Sequence, residues 1–236
     1  MKIALLMSGG LRNFEDTYSS FKYHLFDKLD IDIFFYGLEN KEGKDKNEKK
    51  FKKLFNPVSF VINDKEYYEK LNVKSNYNKN SYYMFHNMEK VYQLFENSVD
   101  VNEYDIVIRS RPDVFWFRTI TNDEFILSKE YIITPLDWCF KSINDFAISD
   151  MFAIGTIHNM EKYYKVIDSI DDYLTKYTWH PESILGYHII KNNIQNKMID
   201  RHFIFEYPNE TQYKYIPKDY HFVQEFDNNF DRKKFD

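Results

Sequence analysis

The 236-residue sequence has one cysteine, six glycines, six prolines and no long apolar run. The single Cys139 cannot close an internal disulfide, which points to a reducing compartment. It lies in Leu136-Asp137-Trp138-Cys139-Phe140 without an activating neighbour and reads as unreactive. No stretch approaches the about 18 apolar residues that a membrane span needs, so no transmembrane segment is expected. The apolar part of Met1-Lys2-Ile3-Ala4-Leu5-Leu6-Met7 is too short for a signal peptide and reads as a first strand, and a cytoplasmic location is expected. Zinc-type Cys/His spacing and a nucleophile elbow are missing. There is no repeat, linker or low-complexity tract, so residues 1–236 are expected to form a single domain. A net charge of -5 argues against nucleic acid as a partner.

What is present is apolar and aromatic: 43 % hydrophobic residues and 19 % aromatics, with 22 Phe and 20 Tyr. A chain of this composition folds around a core rather than staying disordered. The bias to Asn, Lys, Ile, Tyr and Phe fits an AT-rich genome and says nothing of function.

The pattern along the chain predicts an α/β fold. Residues 3–7 form a short, continuous apolar run, as in a strand buried on both faces. Ser8-Gly9-Gly10 breaks it. A helix is expected from Asn13, an N-cap type, with Phe14, Tyr18, Phe21, Leu25 and Leu29 on one face. Residues 31–36 give the second strand, ended by Gly37. The opening β-loop-α-β order implies a central, mostly parallel sheet flanked by helices. Further strands are expected at 58–62, 104–109, 132–133 and 151–154. Helices are expected at 81–98 (Phe85, Met88, Tyr92, Phe95), across Met160 to Leu174, and from Pro181 at a first helical position. The lysine-dominated stretch 41–53 is interleaved with Glu42, Asp45 and Glu48 and reads as a solvated loop and helix face rather than an anion-binding patch.

Four segments carry candidate chemistry. In Ser8-Gly9-Gly10-Leu11-Arg12-Asn13, a glycine pair between strand and helix lets a ligand approach the backbone. The helix start offers free N–H groups to an anion, and Arg12 can add charge. The same loop is also what a tight strand-to-helix turn needs. It is similar to the loop of ATP pyrophosphatases, but Arg12-Asn13 stand where that motif has Asp-Ser. In residues 105–113 a strand ends in Arg109, Arg111 and Asp113, which project to one side if the chain stays extended. Pro112 takes the segment out of the sheet. These charges need partners. Either Asp113 pairs with an arginine, or the group lines a crevice at the strand ends that binds an anionic ligand, with Asp113 holding a divalent metal. Asp150 is expected within an otherwise apolar strand, either to contact sugar hydroxyls or act as a base, or to cap a loop. Glu182 follows His180-Pro181 at a helix start, where the dipole favours a carboxylate and where a general base can also sit. His202 and His221 are candidate metal ligands or structural histidines.

Taken together, the chain resembles a group of viral and bacterial glycosyltransferases that share four features. They have a first strand followed by SG-x-x-R and an aromatic (Ser8 to Phe14), then YD-hydrophobic-R-x-R-P-D (Tyr104 to Asp113). A D-x-F-A-I-G strand (Asp150 to Gly155) and a helix with P-E (Pro181-Glu182) follow. The resemblance spans about residues 1–190. It implies a GT-A fold, a nucleotide-diphosphate sugar donor, a glycan or other hydroxyl acceptor, usually Mn²⁺ or Mg²⁺, and host cytoplasm if the source is viral. On that basis Ser8, Gly9, Gly10, Arg12, Arg109, Arg111 and Asp113 are expected to bind donor, Asp113 to bind metal, and Asp150 and Glu182 to be catalytic. Only one carboxylate stands where GT-A enzymes carry an Asp-x-Asp pair. The alternative is a non-catalytic nucleotide- or sugar-binding module on the same scaffold.

Overall fold

In the computed structural model the described residues are 1–135, 147–174, 180–199 and 203–205. They form an α/β structure with a seven-stranded sheet in the order β3-β2-β1-β4-β7-β6-β8, flanked by helices. The strands are β1 (Ile3–Gly10), β2 (Ile31–Leu38), β3 (Ser59–Asn63), β4 (Ile106–Ser110), β6 (Ile132–Pro135), β7 (Ala153–Gly155) and β8 (Asn196–Ile199). A second, two-stranded sheet pairs β5 (Val114–Trp116) with β9 (Phe203–Phe205). The helices are α1 (Phe14–Phe21), α2 (Lys44–Phe55), α3 (Lys65–Glu69), α4 (Lys79–Ser98), α5 (Asn122–Leu127), α6 (Ile157–Tyr164), α7 (Ile170–Leu174) and α8 (Pro181–Lys191).

Pairing is mostly parallel, as expected: β1 with β2 and β4, β2 with β3, and β6 with β8. β7 runs antiparallel between β4 and β6. Residues 3–7 are wholly buried because side chains of β1 leave toward both covered faces. Ala4, Leu6, Phe34 and Val107 pack against α4, α6 and α8. Ile3, Leu5, Met7, Phe35 and Ile108 pack against α1 and α2.

Several helix starts follow from local chemistry. Asn78 Oδ1 accepts from the backbone N–H of Asn80 and Ser81 at the start of α4. Thr121 and Glu124 form a reciprocal capping box at α5. The stripe expected to run from Phe14 to Leu29 as one helix is broken: α1 ends at Phe21 and a π-helical turn, Lys22–Phe26, follows. The stripe from Met160 to Leu174 is likewise split into α6, a 3-10 turn (Lys165–Ser169) and α7.

Candidate functional site

The carboxyl end of β1 is shaped by glycine. Gly9 has φ +132, a conformation costly for other residues. Gly37, its register partner on β2, packs so closely that a Cβ there would run into the Gly9 carbonyl oxygen and lie 2.7 Å from Phe35 Cζ. The Arg12 side chain folds over Gly10, where a Cβ would meet its Cγ and Nε at 3.8 Å. Asn13 stands at the helix start, and its carbonyl accepts from the N–H groups of Asp16 and Thr17 at 3.0 and 3.1 Å.

β4 brings the second segment to the same place. The ladder with β1 ends at Met7↔Ser110, and residues 111–113 turn away from it because Pro112 has no N–H to donate. Within that turn Arg111 grips Asp113 with two parallel bonds, Nε to Oδ1 at 2.9 Å and Nη2 to Oδ2 at 2.8 Å. Arg12 Nη1 lies 3.8 Å from Asp113 Oδ2, and Arg111 Nη1 lies 3.8 Å from Asp150 Oδ2. Thr17 of α1 donates to the Pro112 carbonyl at 2.7 Å, and the Trp116 N–H donates to Ser20 Oγ at 3.0 Å. The first two segments are thus stitched into one unit by α1. Thr17 and Ser20 had no signal in the sequence beyond being small polar residues on an apolar helix face.

The expected common direction of Arg109, Arg111 and Asp113 holds for Arg111 and Asp113, which meet through their side chains. Arg109 instead lies beneath the end of the sheet, on the face covered by α4 and α6. It is fully buried and donates from Nη1 to Ser8 Oγ at 2.9 Å, with Ser8 itself 2 % exposed. Arg12, by contrast, has a side chain 69 % exposed.

Asp150 departs from the expected strand position. It precedes β7 rather than lying in it. The reason is register. Arg109 opposes Ala153, so Met151 would have to oppose Arg111, which has already left the ladder. Asp150 is therefore held near Arg111 at 5 % exposure. The Ile148 N–H donates to the Glu182 carbonyl at 3.0 Å, which brings the start of α8 beside the segment that carries Asp150. Pro181 occupies the first turn of α8, as expected.

Among the described residues, those around Asp113 do not fit the expected metal. Both oxygens of Asp113 are taken by Arg111, and no group of three potential His, Cys, Asp or Glu ligands comes together among the described residues. A divalent ion on Asp113 would have to displace a bidentate guanidinium. Cys139, His202 and His221 lie outside the described residues. The lysine-rich stretch forms α2, with Lys46, Lys50 and Lys52 paired to Glu42, Glu15 and Glu48 on a solvated surface. No helix among the described residues is long and apolar enough to cross a membrane.

No family model matches this chain, and no curated protein matches it. Among solved structures it is similar to the apo form of mouse xyloside xylosyltransferase 1, at 11 % identity and a TM-score of 0.49, over 85 % of this chain and 86 % of that one. At that identity and degree of superposition the likeness carries no statement about chemistry.

Proposed function

We propose that the chain transfers a sugar from a nucleoside-diphosphate sugar to a hydroxyl acceptor, on a GT-A-type scaffold. The observation that carries this reading is the joining of two arginine-bearing turns at the carboxyl ends of β1 and β4, where open α/β sheets bind ligands. A glycine turn and the start of α1 stand beside Arg12, whose guanidinium is held only loosely at Asp113. In this reading a diphosphate lies against the Gly9-Gly10 backbone and the free N–H groups at the start of α1, and Arg12 and Arg111 neutralise it.

In the transfer step the bond between the sugar C1 and the diphosphate oxygen breaks, and a bond from the acceptor oxygen to C1 forms. The acceptor proton passes to Asp150 or Glu182. The electron pair leaves with the diphosphate, where the arginines stabilise it. Ser8 and Arg109 set the shape of the turn from below, and Asp113 orients Arg111.

A thermal-shift screen of nucleotide sugars and bare nucleoside diphosphates, with and without Mn²⁺, tests the reading. A donor at 100 times its dissociation constant is expected to stabilise the fold by about 2.7 kcal/mol. Absence of any shift across a broad panel would sink the donor site. Binding without hydrolysis or transfer would instead favour the non-catalytic module.

A further inference from the structure

Pro112 has one backbone freedom that its own ring does not remove. The pyrrolidine ring locks φ, so the tilt of the peptide plane between Pro112 and Asp113 is set by ψ alone. Thr17 of α1 holds that plane by its oxygen: Oγ1 donates to the Pro112 carbonyl at 2.7 Å, and Thr17 is fully buried. The same hydroxyl lies 3.2 Å from the Phe14 carbonyl, one turn back in the helix. A hydroxyl has one proton to give, and the shorter contact has first claim on it.

The residues on either side of Pro112 are the ones that depend on this plane. Arg111 precedes it and Asp113 follows it, and the two are clasped through Nε and Nη2 of the arginine. The Pro112 ring also lies beside the turn of β1, where a Cβ on Gly9 would come 4.0 Å from its Cδ.

We propose that Thr17 is a positioning residue of the donor site: by fixing ψ of Pro112 it sets the distance between the Arg111 guanidinium and the start of α1. The inference rests on the transfer reading, in which Arg111 and the N–H groups at that helix start share one diphosphate.

Two features of α1 support this role. The first is that one rigid element carries both reference points. Thr17 sits a single turn inside the helix from Phe14, so the hydroxyl and the first N–H groups move together. The anion-facing groups of β1 and β4 are thereby registered against the same body, and such a site loses affinity when one contact is misplaced.

The second is a separate tether that carries the fold of this segment. Ser20, three residues on, donates to the Thr17 carbonyl at 2.6 Å and accepts from the Trp116 N–H at 3.0 Å. That bond secures the chain beyond the turn without the Thr17 hydroxyl. Deleting the hydroxyl therefore releases residues 111–113 in particular.

The test compares Thr17→Val, which keeps the shape and loses the hydroxyl, with Thr17→Ser, which keeps the donor. Hydrogen exchange of the Arg111 Nε–H, followed by NMR in ligand-free protein, reads the turn directly. It is expected to quicken in Thr17→Val and to stay near wild type in Thr17→Ser. Unchanged exchange in Thr17→Val overturns the proposal whatever the ligand. Calorimetric titration with a nucleoside diphosphate, well below Tm, reads the consequence. Thr17→Val is expected to bind on the order of tenfold more weakly, Thr17→Ser to restore the affinity, and Thr17→Val to add nothing in an Arg111→Ala background. A lower Tm with unchanged affinity makes Thr17 merely structural and overturns the proposal alone. Wild-type protein that binds no nucleoside diphosphate defeats the transfer reading, and the positioning role falls with it.

Discussion

The two faces of the central sheet bury aromatic rings of different kinds. Against α1 and α2 the rings, Trp116 apart, are hydrocarbon: Phe51 stacks on Phe55 at 4.5 Å and packs with Phe14 and Phe35, and no tyrosine is among that cluster's buried members. Against α4, α6 and α8 the core holds Tyr36, Tyr92, Tyr104, Tyr163, Tyr164 and Tyr173. Several of these hydroxyls are tied down: Tyr104 to Asp32 at 2.7 Å, Tyr36 to Tyr67 at 2.9 Å, and Tyr173 to His188 Nδ1 at 2.7 Å. The phenyl face gains stability from burial alone and tolerates imprecise geometry. On the tyrosine face burial strips water from the hydroxyls, and those that meet a protein partner fix positions. The buried Arg109 and its contact with Ser8 lie on that second face, so the turn that shapes the candidate site rests on the more exacting side.

The sharpest way to break the contrast is Phe51→Ala. It removes a fully buried ring from the dry face and is expected to cost about 3–5 kcal/mol in denaturant unfolding. Any donor-induced thermal shift should persist at permissive temperature. Loss of ligand response without loss of stability would contradict the division between the faces.

Acid probes both sides at once. His24 lies in the π-helical turn after α1, and His86 lies on α4 with its Nε2 3.0 Å from the Tyr67 hydroxyl. Burial, with Lys28 and Lys90 adding repulsion, lowers both to about 4 from the ordinary 6.5. The unfolded chain then binds more protons than the folded one between pH 6.5 and 4, so stability falls as pH drops through that window and levels off below it. Each histidine contributes at most on the order of 3 kcal/mol. His24→Phe should flatten its share of the slope in pH-dependent unfolding, and an unchanged slope would assign the loss to other groups.

Arg111→Ala tests the junction between turn and core. It strands the buried Asp113 carboxylate, with the looser Arg12 as its remaining ion-pair partner among the described residues. A loss of about 2–3 kcal/mol is expected, together with weaker donor binding. Adding Asp113→Asn should recover much of the stability and none of the donor affinity. Recovery of both would make the pair purely structural. The smallest effect is expected from Tyr68→Phe, which deletes a 2.6 Å bond to Asn87 Oδ1 on the tyrosine side and should cost about 1 kcal/mol. A neutral outcome would weaken the claim that paired hydroxyls hold that side in place.

Much of the sheet is legible in the chain because buried parallel strands are short apolar runs, and residues 3–7, 33–36 and 106–108 are such runs. The direction of β7 is not, because three residues of Ala-Ile-Gly pair equally well either way and only the tertiary register decides. β5 is hidden in an aromatic stretch without period. At the site, the meeting of the first and second segments follows from strand adjacency. The burial of Arg109 does not, since arginine is ordinarily a surface residue. Nor can the alternation of side chains tell whether Arg111 closes on Asp113 or stays open to a ligand; that depends on the turn which Pro112 imposes.

The contact between Gly37 and the Gly9 carbonyl has a consequence for mutational tolerance. Gly37 offers no side chain to a substrate and has no part in the proposed chemistry, yet any replacement would push β2 away from the turn that β1 presents. In a saturation-mutagenesis screen for activity it is expected to score as intolerant as a catalytic position, and even alanine should fail. Sensitivity to substitution at this end of the sheet therefore reports interstrand spacing as well as chemistry, and a map of intolerant positions would draw the candidate site one strand too wide.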